Sequence, residues 1–539
     1  MPKEAIVQPA NQALSSSTST HDPFEVGGYL ACQCVAICFA LALHHWVSAP
    51  TLTPDASLTT AILAAAAAVI GTVAVIFEVR LLAMRRHWFQ SPLLALAIGF
   101  LAGLALLWAV PKHVDIAYVT FGVAVIRLLM MAVSAGPRAA LVPMLAGVAI
   151  GYWAFLLSFA DGYKTLWIEQ AILSGTVHVD LLFHAAIANM LSGYGVGSLG
   201  VDGLATFPYH FGSHRLMMVL YGLLGMGPLP FYSVVFPLIF GPLFVCVMFL
   251  FAVAFKGFLA RVEGSGSSPG STPAWYWAVA SICFIGVIAA PTRRELGVWE
   301  NAFHSESFGV ALLVAYLGGI WLFDQLGEQM RIRITWRTGV LLALYLWVLC
   351  LLKISVGLVI GAVFGYVVLR SRETIFRKLL GCVAIALPLG YGLWLTRANT
   401  NGGQADTSLL DSIKPFAFLR DSVGPDFYVF SFLAFFGPVI IFVLYRLLLP
   451  RQKQAPVLRL RLKSHTLLDV ELAIVITVTS VLPGIVLAVP QGSTNFFAEV
   501  SYWWMQPLMA VVVSRVLMRF TAASQTPDED SQRNRSEIV

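Results

Sequence analysis

Long apolar runs separated by short polar segments make up most of the chain between residues 27 and 519. Most of the runs approach the ~20 residues that an α-helix needs to cross the hydrocarbon core of a bilayer. The pattern therefore predicts an all-α fold, a polytopic transmembrane helical bundle of about 14 spans. The predicted spans are 27–48, 58–79, 91–110, 116–134, 139–160, 229–255, 274–291, 306–323, 338–352, 354–369, 379–396, 425–445, 468–489 and 501–519.

The polar segments divide the chain into one bundle and two tails. Residues 1–26 form a disordered cytoplasmic tail, 27–520 a single transmembrane bundle, and 521–539 a second cytoplasmic tail. Lys353 interrupts the apolar stretch 338–369, and the run on each side of it is short for a full crossing. The stretch could therefore form two half-helices that meet near Lys353, or one long buried helix.

Two longer segments, 161–228 and 396–424, are predicted as outer loops. The first of them is too apolar for a simple loop. Apolar residues have helical spacing over 165–192, a glycine-rich turn follows at 193–203, and 211–224 forms a second apolar helix that is too short to span. Short helices of this kind lie in the membrane interface, so we expect the 161–228 loop to contain interfacial helices.

Composition and charge narrow the class of protein. Hydrophobic residues make up 58% of the chain and charged residues 12%, whereas soluble domains carry about 25% charged residues. Basic residues occur in short clusters between apolar runs, which argues against a nucleic-acid partner. With the N-terminus inside, the inner loops and helix ends hold 21 Lys and Arg and the outer loops hold 9. The positive-inside rule therefore predicts that both termini are cytoplasmic.

Histidines concentrate in the first outer loop. Asp180 and His184 are four residues apart on a predicted helix, and so are His210 and His214 beyond the glycine-rich turn. A carboxylate beside a histidine is the arrangement that general base catalysis requires. The alternative is a polar helix face that meets headgroups or neighbouring loops. Two imidazoles on one face could also bind a divalent metal, but the sequence has no firm ligand pattern and no cofactor is predicted.

A second outer segment, 291–306, contains Arg293, Arg294, His304 and Glu306. The two arginines could clamp an anionic group, or they could pair with the neighbouring glutamates. Lys353 lies within an apolar run. An ionisable group at membrane depth is expected to face a partner or a cavity, although a lysine near a short helix end can also snorkel towards water.

These features together resemble the GT-C superfamily of membrane-embedded glycosyltransferases. The resemblance lies in Asp180-x-x-x-His184, then Tyr209-His210-x-x-x-His214, a short apolar helix ending in Gly225-Met-Gly227, and a span back to Lys256 and Arg261. It implies an integral protein of a bacterial inner (plasma) membrane that moves a sugar from a polyprenyl-phosphate donor. The acceptor would be a cell-envelope glycan or lipid on the outer face, and membrane lipids would surround the bundle.

The resemblance also implies roles for the candidate residues. Asp180 would take a proton from the acceptor hydroxyl, and His184 would orient it or share its charge. The superfamily often has an acidic pair in this loop and this chain has Asp180 alone, so Glu169 and Asp161 remain alternatives for the base. Cationic side chains would stabilise the negative charge of the departing phosphate. The predicted substrate-binding residues, which include these cations, are His210, His214, Arg293, Arg294, His304, Glu306 and Lys353.

Other classes of protein share this layout. An O-antigen polymerase- or ligase-like enzyme has many spans and an outer loop, but relies on Arg and His rather than on a carboxylate. A transporter or flippase of lipid-linked sugars would need polar groups near the bilayer midplane. A non-catalytic scaffold would explain the spans but not the clustered outer His, Asp and Arg.

Overall fold

The computed structural model describes residues 168–262, with breaks at 202, 205 and 207–208, then 305–326, 334–398, 428–448, 468–486 and 495–525, besides scattered earlier positions. Within these residues the regular structure is helical and contains no β-strand, which confirms the all-α prediction. The predicted spans 58–79, 91–110, 116–134 and 274–291 lie outside the described residues, as does nearly all of the predicted loop 396–424. So do the tail 1–26 and residues 526–539 of the second tail.

The described residues of the segment 161–228 form three helices before Pro228: α1 (Ile168–Leu173), α2 (Val179–Tyr194) and α3 (Gly212–Leu224). The prediction of one continuous helix over 165–192 is wrong between α1 and α2. Gly175 has a φ of 69°, and the amide of Thr176 bonds back to the carbonyl of Ala171 at 2.8 Å. A left-handed glycine just after the last turn is a common helix stop. The helix predicted at 211–224 is confirmed.

A long helix follows α3. A single turn at Pro228–Pro230 and a π-helical turn at Phe231–Val235 lead into α4 (Phe236–Val262). Proline is favoured in the first turn of a helix because its missing amide hydrogen has no partner there. π-Helical turns inside longer helices often mark functional positions.

The remaining described helices coincide with predicted spans. They are α5 (Glu306–Gln325), α6 (Trp336–Leu352), α7 (Ile354–Arg370), α8 (Ile375–Ala398), α9 (Tyr428–Leu448), α10 (Leu468–Val486) and α11 (Asn495–Gln525). Three stretches within the described part of the chain are long and apolar enough to cross a membrane, namely Pro228–Arg261, Glu306–Gln325 and Ile375–Trp394.

Helices α6 and α7 form an antiparallel hairpin with Lys353 at its tip. Lys353 has an extended backbone (φ −159°, ψ 112°) between the two helices. A Cβ on Gly381 of α8 would lie 3.2 Å from Ile334, before α6, and 2.8 Å from Val368, near the end of α7. The start of α6 and the end of α7 therefore lie side by side, which excludes one long helix over 338–369.

The described helices share one apolar core. Phe251 of α4 lies 5.1 Å from Tyr316 of α5 and 5.0 Å from Trp504 of α11, measured between ring centroids. The Tyr316 hydroxyl donates a hydrogen bond to the carbonyl of Trp503 at 2.6 Å, so this polar group is satisfied within the core. Gly318 faces Tyr345, and the absence of a side chain there lets α5 and α6 approach closely.

The two ends of this helix assembly carry different polar groups. At one end, which we call the arginine end, Arg261 bonds the carbonyl of Phe323 and Arg446 pairs with Asp469. At the opposite end the tip of the α6–α7 hairpin meets the start of α5 and the helices α2 and α3. We call it the histidine end and define it by His184, His210, His214, Glu306 and Lys353.

Candidate functional site

The start of α2 sets the position of Asp180. His178 is the N-cap residue of α2, and its Nδ1 accepts a hydrogen bond from the amide of Asp180 at 3.3 Å. The Asp180 side chain is 50% exposed, and its carboxylate lies 3.9 Å from the same Nδ1. A carboxylate in the first turn of a helix is stabilised by the partial positive charge there. Asp180 therefore occupies the exposed beginning of α2.

One turn later, His184 lies on the buried face of α2 and is only 4% exposed. Its Nε2 is 3.2 Å from Oε2 of Glu306, the first residue of α5, which is 1% exposed. The spacing of Asp180 and His184 predicted a carboxylate beside this imidazole. The structure supplies such a carboxylate from a different helix.

The second nitrogen of His184 contacts another histidine. Its Nδ1 lies 2.9 Å from Nε2 of His214 on α3, and the two rings stack with centroids 5.1 Å apart. His214 is 1% exposed, and burial lowers its pKa to about 3, with a further contribution from the charge of His184. His214 is therefore neutral at physiological pH and carries a single ring proton.

The position of that proton follows from the partners of His214. The ring bonds the backbone carbonyl of His210. Because Nε2 faces His184, the nitrogen that donates to this carbonyl is Nδ1, and Nε2 is left as an acceptor. His184 must then donate from its own Nδ1 to His214. The Nε2 of His184 then faces the Glu306 carboxylate, so the two side chains form a carboxylate–imidazole pair that can hold one proton between them, with the His184 ring oriented by His214.

A second series of hydrogen bonds links His210 to Lys353. His210 Nε2 lies 2.9 Å from the hydroxyl of Ser307, and Ser307 lies 2.9 Å from the hydroxyl of Ser305. The Lys353 ammonium donates to Ser305 at 3.4 Å. Burial, and then the charge of Lys353, lowers the pKa of His210 well below its ordinary value, so His210 is neutral here.

Lys353 is held at the tip of the α6–α7 hairpin. Its ammonium lies 3.7 Å from the centre of the Phe496 ring, a short cation–π contact. The ammonium also interacts electrostatically with Glu306 and with Glu499, a buried carboxylate on α11. Lys353 therefore faces partners inside the protein, one of the two arrangements that its sequence position predicted.

Tyr209 forms a partly exposed edge of the cluster. Its ring stacks on His210 with centroids 4.0 Å apart. Burial and the nearby charge of Glu306 raise the pKa of Tyr209 above its ordinary value, so the phenol stays protonated at physiological pH. Tyr209 can therefore offer a hydrogen bond beside the Glu306 carboxylate without adding charge.

A close backbone contact holds α3 in place. A Cβ on Gly212, the first residue of α3, would lie 2.5 Å from the carbonyl oxygen of Leu351 near the end of α6. Glycine removes that clash and lets the start of α3 lie directly against the hairpin. His210 and His214, on either side of Gly212, are thereby held close to Lys353.

Among the predicted site residues that the structure describes, five meet at the histidine end. His184, His210, His214, Glu306 and Lys353 form the connected cluster described above. Asp180 lies at the exposed start of α2. Arg293, Arg294, His304 and the alternative base Asp161 lie outside the described residues, and Glu169 belongs to α1 with its side chain undescribed.

Four residues of the cluster were not predicted from the sequence: Ser305, Ser307, Tyr209 and Glu499. Serine is common in loops, so the two serines carried little signal. Glu499 did offer a signal, because it is an acidic residue next to the predicted span 501–519.

The cluster is built from hydrogen bonds. The 2.9 Å between the nitrogens of His184 and His214 is a hydrogen-bond distance. Within the residues that the structure describes, no three His, Cys, Asp or Glu side chains are grouped to hold a metal ion. No family model matches the chain, and no curated protein or solved structure is significantly similar to it.

Proposed function

We propose that the protein is a membrane-embedded glycosyltransferase. It moves a sugar from a polyprenyl-phosphate donor to a cell-envelope glycan or lipid acceptor at the outer face of a bacterial inner membrane. The observation that carries this proposal is the buried Glu306–His184 pair beside the Lys353 ammonium, at one end of otherwise apolar helices.

The energetic cost of these groups supports a functional role. An ionisable side chain within a membrane protein's apolar helices is costly to bury and is expected to face a partner or a cavity. Glu306, Glu499 and Lys353 are all buried among helices of apolar sequence. Charged groups held in this way usually mark a substrate or proton site rather than a packing device.

The groups also match the chemistry of sugar transfer. The reaction needs a proton acceptor for the attacking hydroxyl and a cation for the departing phosphate. Two carboxylates could accept the proton. Glu306 lies against His184 at the histidine end, and Asp180 is exposed at the start of α2. Lys353 provides an ammonium on the other side of Ser305. His304 directly precedes Ser305 in the chain, and Arg293 and Arg294 belong to the same segment, 291–306.

The orientation rests on the loops. The predicted bundle of about 14 spans has its Lys- and Arg-rich loops inside. The arginine end contains Arg261, Arg370 and Arg446, which lie near the ends of the helices α4, α7 and α9. The histidine end then faces outwards, where a flipped lipid-linked sugar and its acceptor would meet.

The three clustered histidines, His184, His210 and His214, favour a second candidate, an O-antigen polymerase- or ligase-like enzyme. Such an enzyme would rely on histidine and on Arg293 and Arg294 rather than on a carboxylate. Loss of transfer in Arg293→Ala and Arg294→Ala, with transfer preserved in Glu306→Gln and Asp180→Asn, would identify this class.

The proposed function is tested with the purified full-length protein in nanodiscs. Polyprenyl-phosphate donors that carry different radiolabelled sugars are supplied with a cell-envelope lipid extract as acceptor. We expect polyprenyl phosphate and labelled product to appear in equal amounts. If labelled donor in liposomes crosses the bilayer and no polyprenyl phosphate is released, the protein is a flippase and the proposal fails.

A further inference from the structure

We infer that Glu306, oriented by His184 and His214, is the residue that takes the proton from the acceptor hydroxyl. This inference rests on the proposed transferase function and goes beyond it. The resemblance to known glycosyltransferases implies Asp180 for this role. The contacts at the histidine end assign it to a carboxylate of α5 instead.

Glu306 and Asp180 differ in their exposure to water and in their contact with an imidazole, both of which affect proton transfer. Glu306 is almost fully buried and lies 3.2 Å from His184, which provides a second site for the same proton. Asp180 is half exposed, and water screens its interaction with His178. A buried carboxylate against an imidazole is suited to accept a proton and to return it.

His214 determines how the His184 ring is oriented towards Glu306. Its Nδ1 donates to the carbonyl of His210, so its Nε2 accepts from His184 and fixes which nitrogen of His184 faces Glu306. The same logic operates in catalytic triads, where a third group holds the histidine in the productive tautomer. His184 and His214 are therefore positioning residues, and Glu306 is the catalytic residue.

The arrangement also separates the two halves of the reaction. Ser305 and Ser307 lie on the branch that leads to Lys353, while Glu306 between them contacts His184. The donor phosphate is bound on the lysine side, and the acceptor hydroxyl reaches Glu306 along the partly exposed edge at Tyr209. A cation and a proton acceptor thus lie on opposite sides of one three-residue segment.

The bond changes balance without a further reactant. The acceptor O–H bond breaks and its proton moves to Glu306, while the acceptor oxygen bonds to the anomeric carbon. The bond between that carbon and the phosphate oxygen breaks, and its electron pair leaves on the polyprenyl phosphate. The proton then passes from Glu306 to the released phosphate, which restores the carboxylate.

The inference is tested by single-turnover transfer in nanodiscs with Glu306→Gln, Glu306→Asp and Asp180→Asn. Glu306→Gln keeps the size of the side chain but cannot accept the proton, so we expect the rate to fall at least ~100-fold. Glu306→Asp should recover part of this loss and change the pH at which the rate is half-maximal. Asp180→Asn should lower the rate less than about tenfold, because a surface carboxylate interacts weakly.

Controls separate a chemical effect from a folding defect. Glu373→Gln makes the same chemical change in an ion pair at the far end of α7 and should leave transfer unchanged. Each variant's melting temperature and donor binding are measured. If Glu306→Gln does not fold, the pH profiles of Glu306→Asp and of His214→Gln decide, because a purely structural role would lower the rate without moving the profile.

Three outcomes are distinguishable. Loss of transfer in Glu306→Gln with a shifted profile in Glu306→Asp supports the inference. Loss in Asp180→Asn with transfer preserved in Glu306→Gln overturns it and leaves the proposed function intact. Absence of transfer by the wild-type protein with every donor tested contradicts the proposed function itself.

Discussion

Gly212 is a residue of α3 whose backbone lies directly against the α6–α7 hairpin. The approach leaves no room for a Cβ beside the carbonyl of Leu351. The histidines on both sides of Gly212 belong to the cluster, so their positions depend on this contact. A single small residue thus couples the packing of two helices to the geometry of the site.

Gly212→Ala tests this coupling. We expect the unfolding free energy to fall by about 1–3 kcal/mol, because the added methyl group must push α3 away from the hairpin. Transfer activity should fall as well, since His210 and His214 move with α3. Chemical denaturation in detergent micelles measures the first effect. Gly222→Ala on the same helix is the matched control, because a Cβ there meets nothing within 4 Å.

The lowered pKa of the buried His214 side chain should make the stability of the folded protein depend on pH. Its pKa in the folded protein is about 3, against 6.5 for an ordinary histidine, so below pH 6.5 the unfolded chain takes up a proton that the folded protein does not. Stability therefore decreases as pH falls from about 6.5 towards 3, by up to ~1.4 kcal/mol per pH unit for each such histidine. His214→Gln should flatten this dependence in melting curves recorded between pH 4 and 8.

The exposed N-cap histidine provides the control for that measurement. His178→Gln should keep the wild-type slope of melting temperature against pH. An identical slope in wild type and His214→Gln would show that His214 is not buried as a neutral group.

At this scale the sequence predicted which residue types meet, but not all of their partners. The spacing of His184 and of His214 within their helices was visible in the sequence. The carboxylate beside His184 comes from the start of α5, and helical spacing within the first outer segment cannot reveal a contact with a distant helix. The same holds for Ser305 and Ser307, whose contacts with His210 and Lys353 also join segments that are distant in the sequence.

Among the helices, α10 is fixed by two ion pairs near its first turn. Asp469 accepts a hydrogen bond from Arg446 of α9 at 2.8 Å, and Glu471 pairs with Arg370 of α7 at 3.1 Å. The aspartate side chain is fully buried, so its charge depends on the arginine for compensation. These pairs tie three helices together at the arginine end.

Asp469→Ala should therefore destabilise the protein strongly. Removing one partner of a buried ion pair leaves the other charge uncompensated, which costs about 3–5 kcal/mol. Chemical denaturation in micelles measures the loss. Arg377→Ala removes a half-exposed partner of Glu373 and should cost less than Asp469→Ala, because both partners of the Arg446–Asp469 pair are largely buried, so equal effects of the two variants would contradict this assignment.

Helix positions could be read from the apolar runs because each run is long enough to form a helix by itself. Helix breaks were harder to predict. Apolar spacing continues across Gly175, where the chain leaves the helix. At Lys353 the sequence indicated an interruption but left open whether the chain reverses direction there. Backbone conformation at a single residue decides both cases, and hydrophobic spacing does not report it.

For the molecule as a whole, the separation of the two ends is the feature that links fold to function. Arginine–carboxylate pairs at one end stabilise the helices, and the cluster at the other end holds a buried carboxylate–imidazole pair and an ammonium. The prediction of about 14 spans drew on apolar runs over the entire chain. Eight of these runs correspond to helices in the described part of the chain, and the prediction of the others stays a prediction.

The most direct test of the central claim is a cryo-EM structure of the full-length protein in nanodiscs with a polyprenyl-phosphate sugar. We expect density for the phosphate within hydrogen-bonding reach of Lys353, with the sugar between that phosphate and Glu306. Density for the phosphate at the arginine end, or midway along the helices and away from His184, would contradict it.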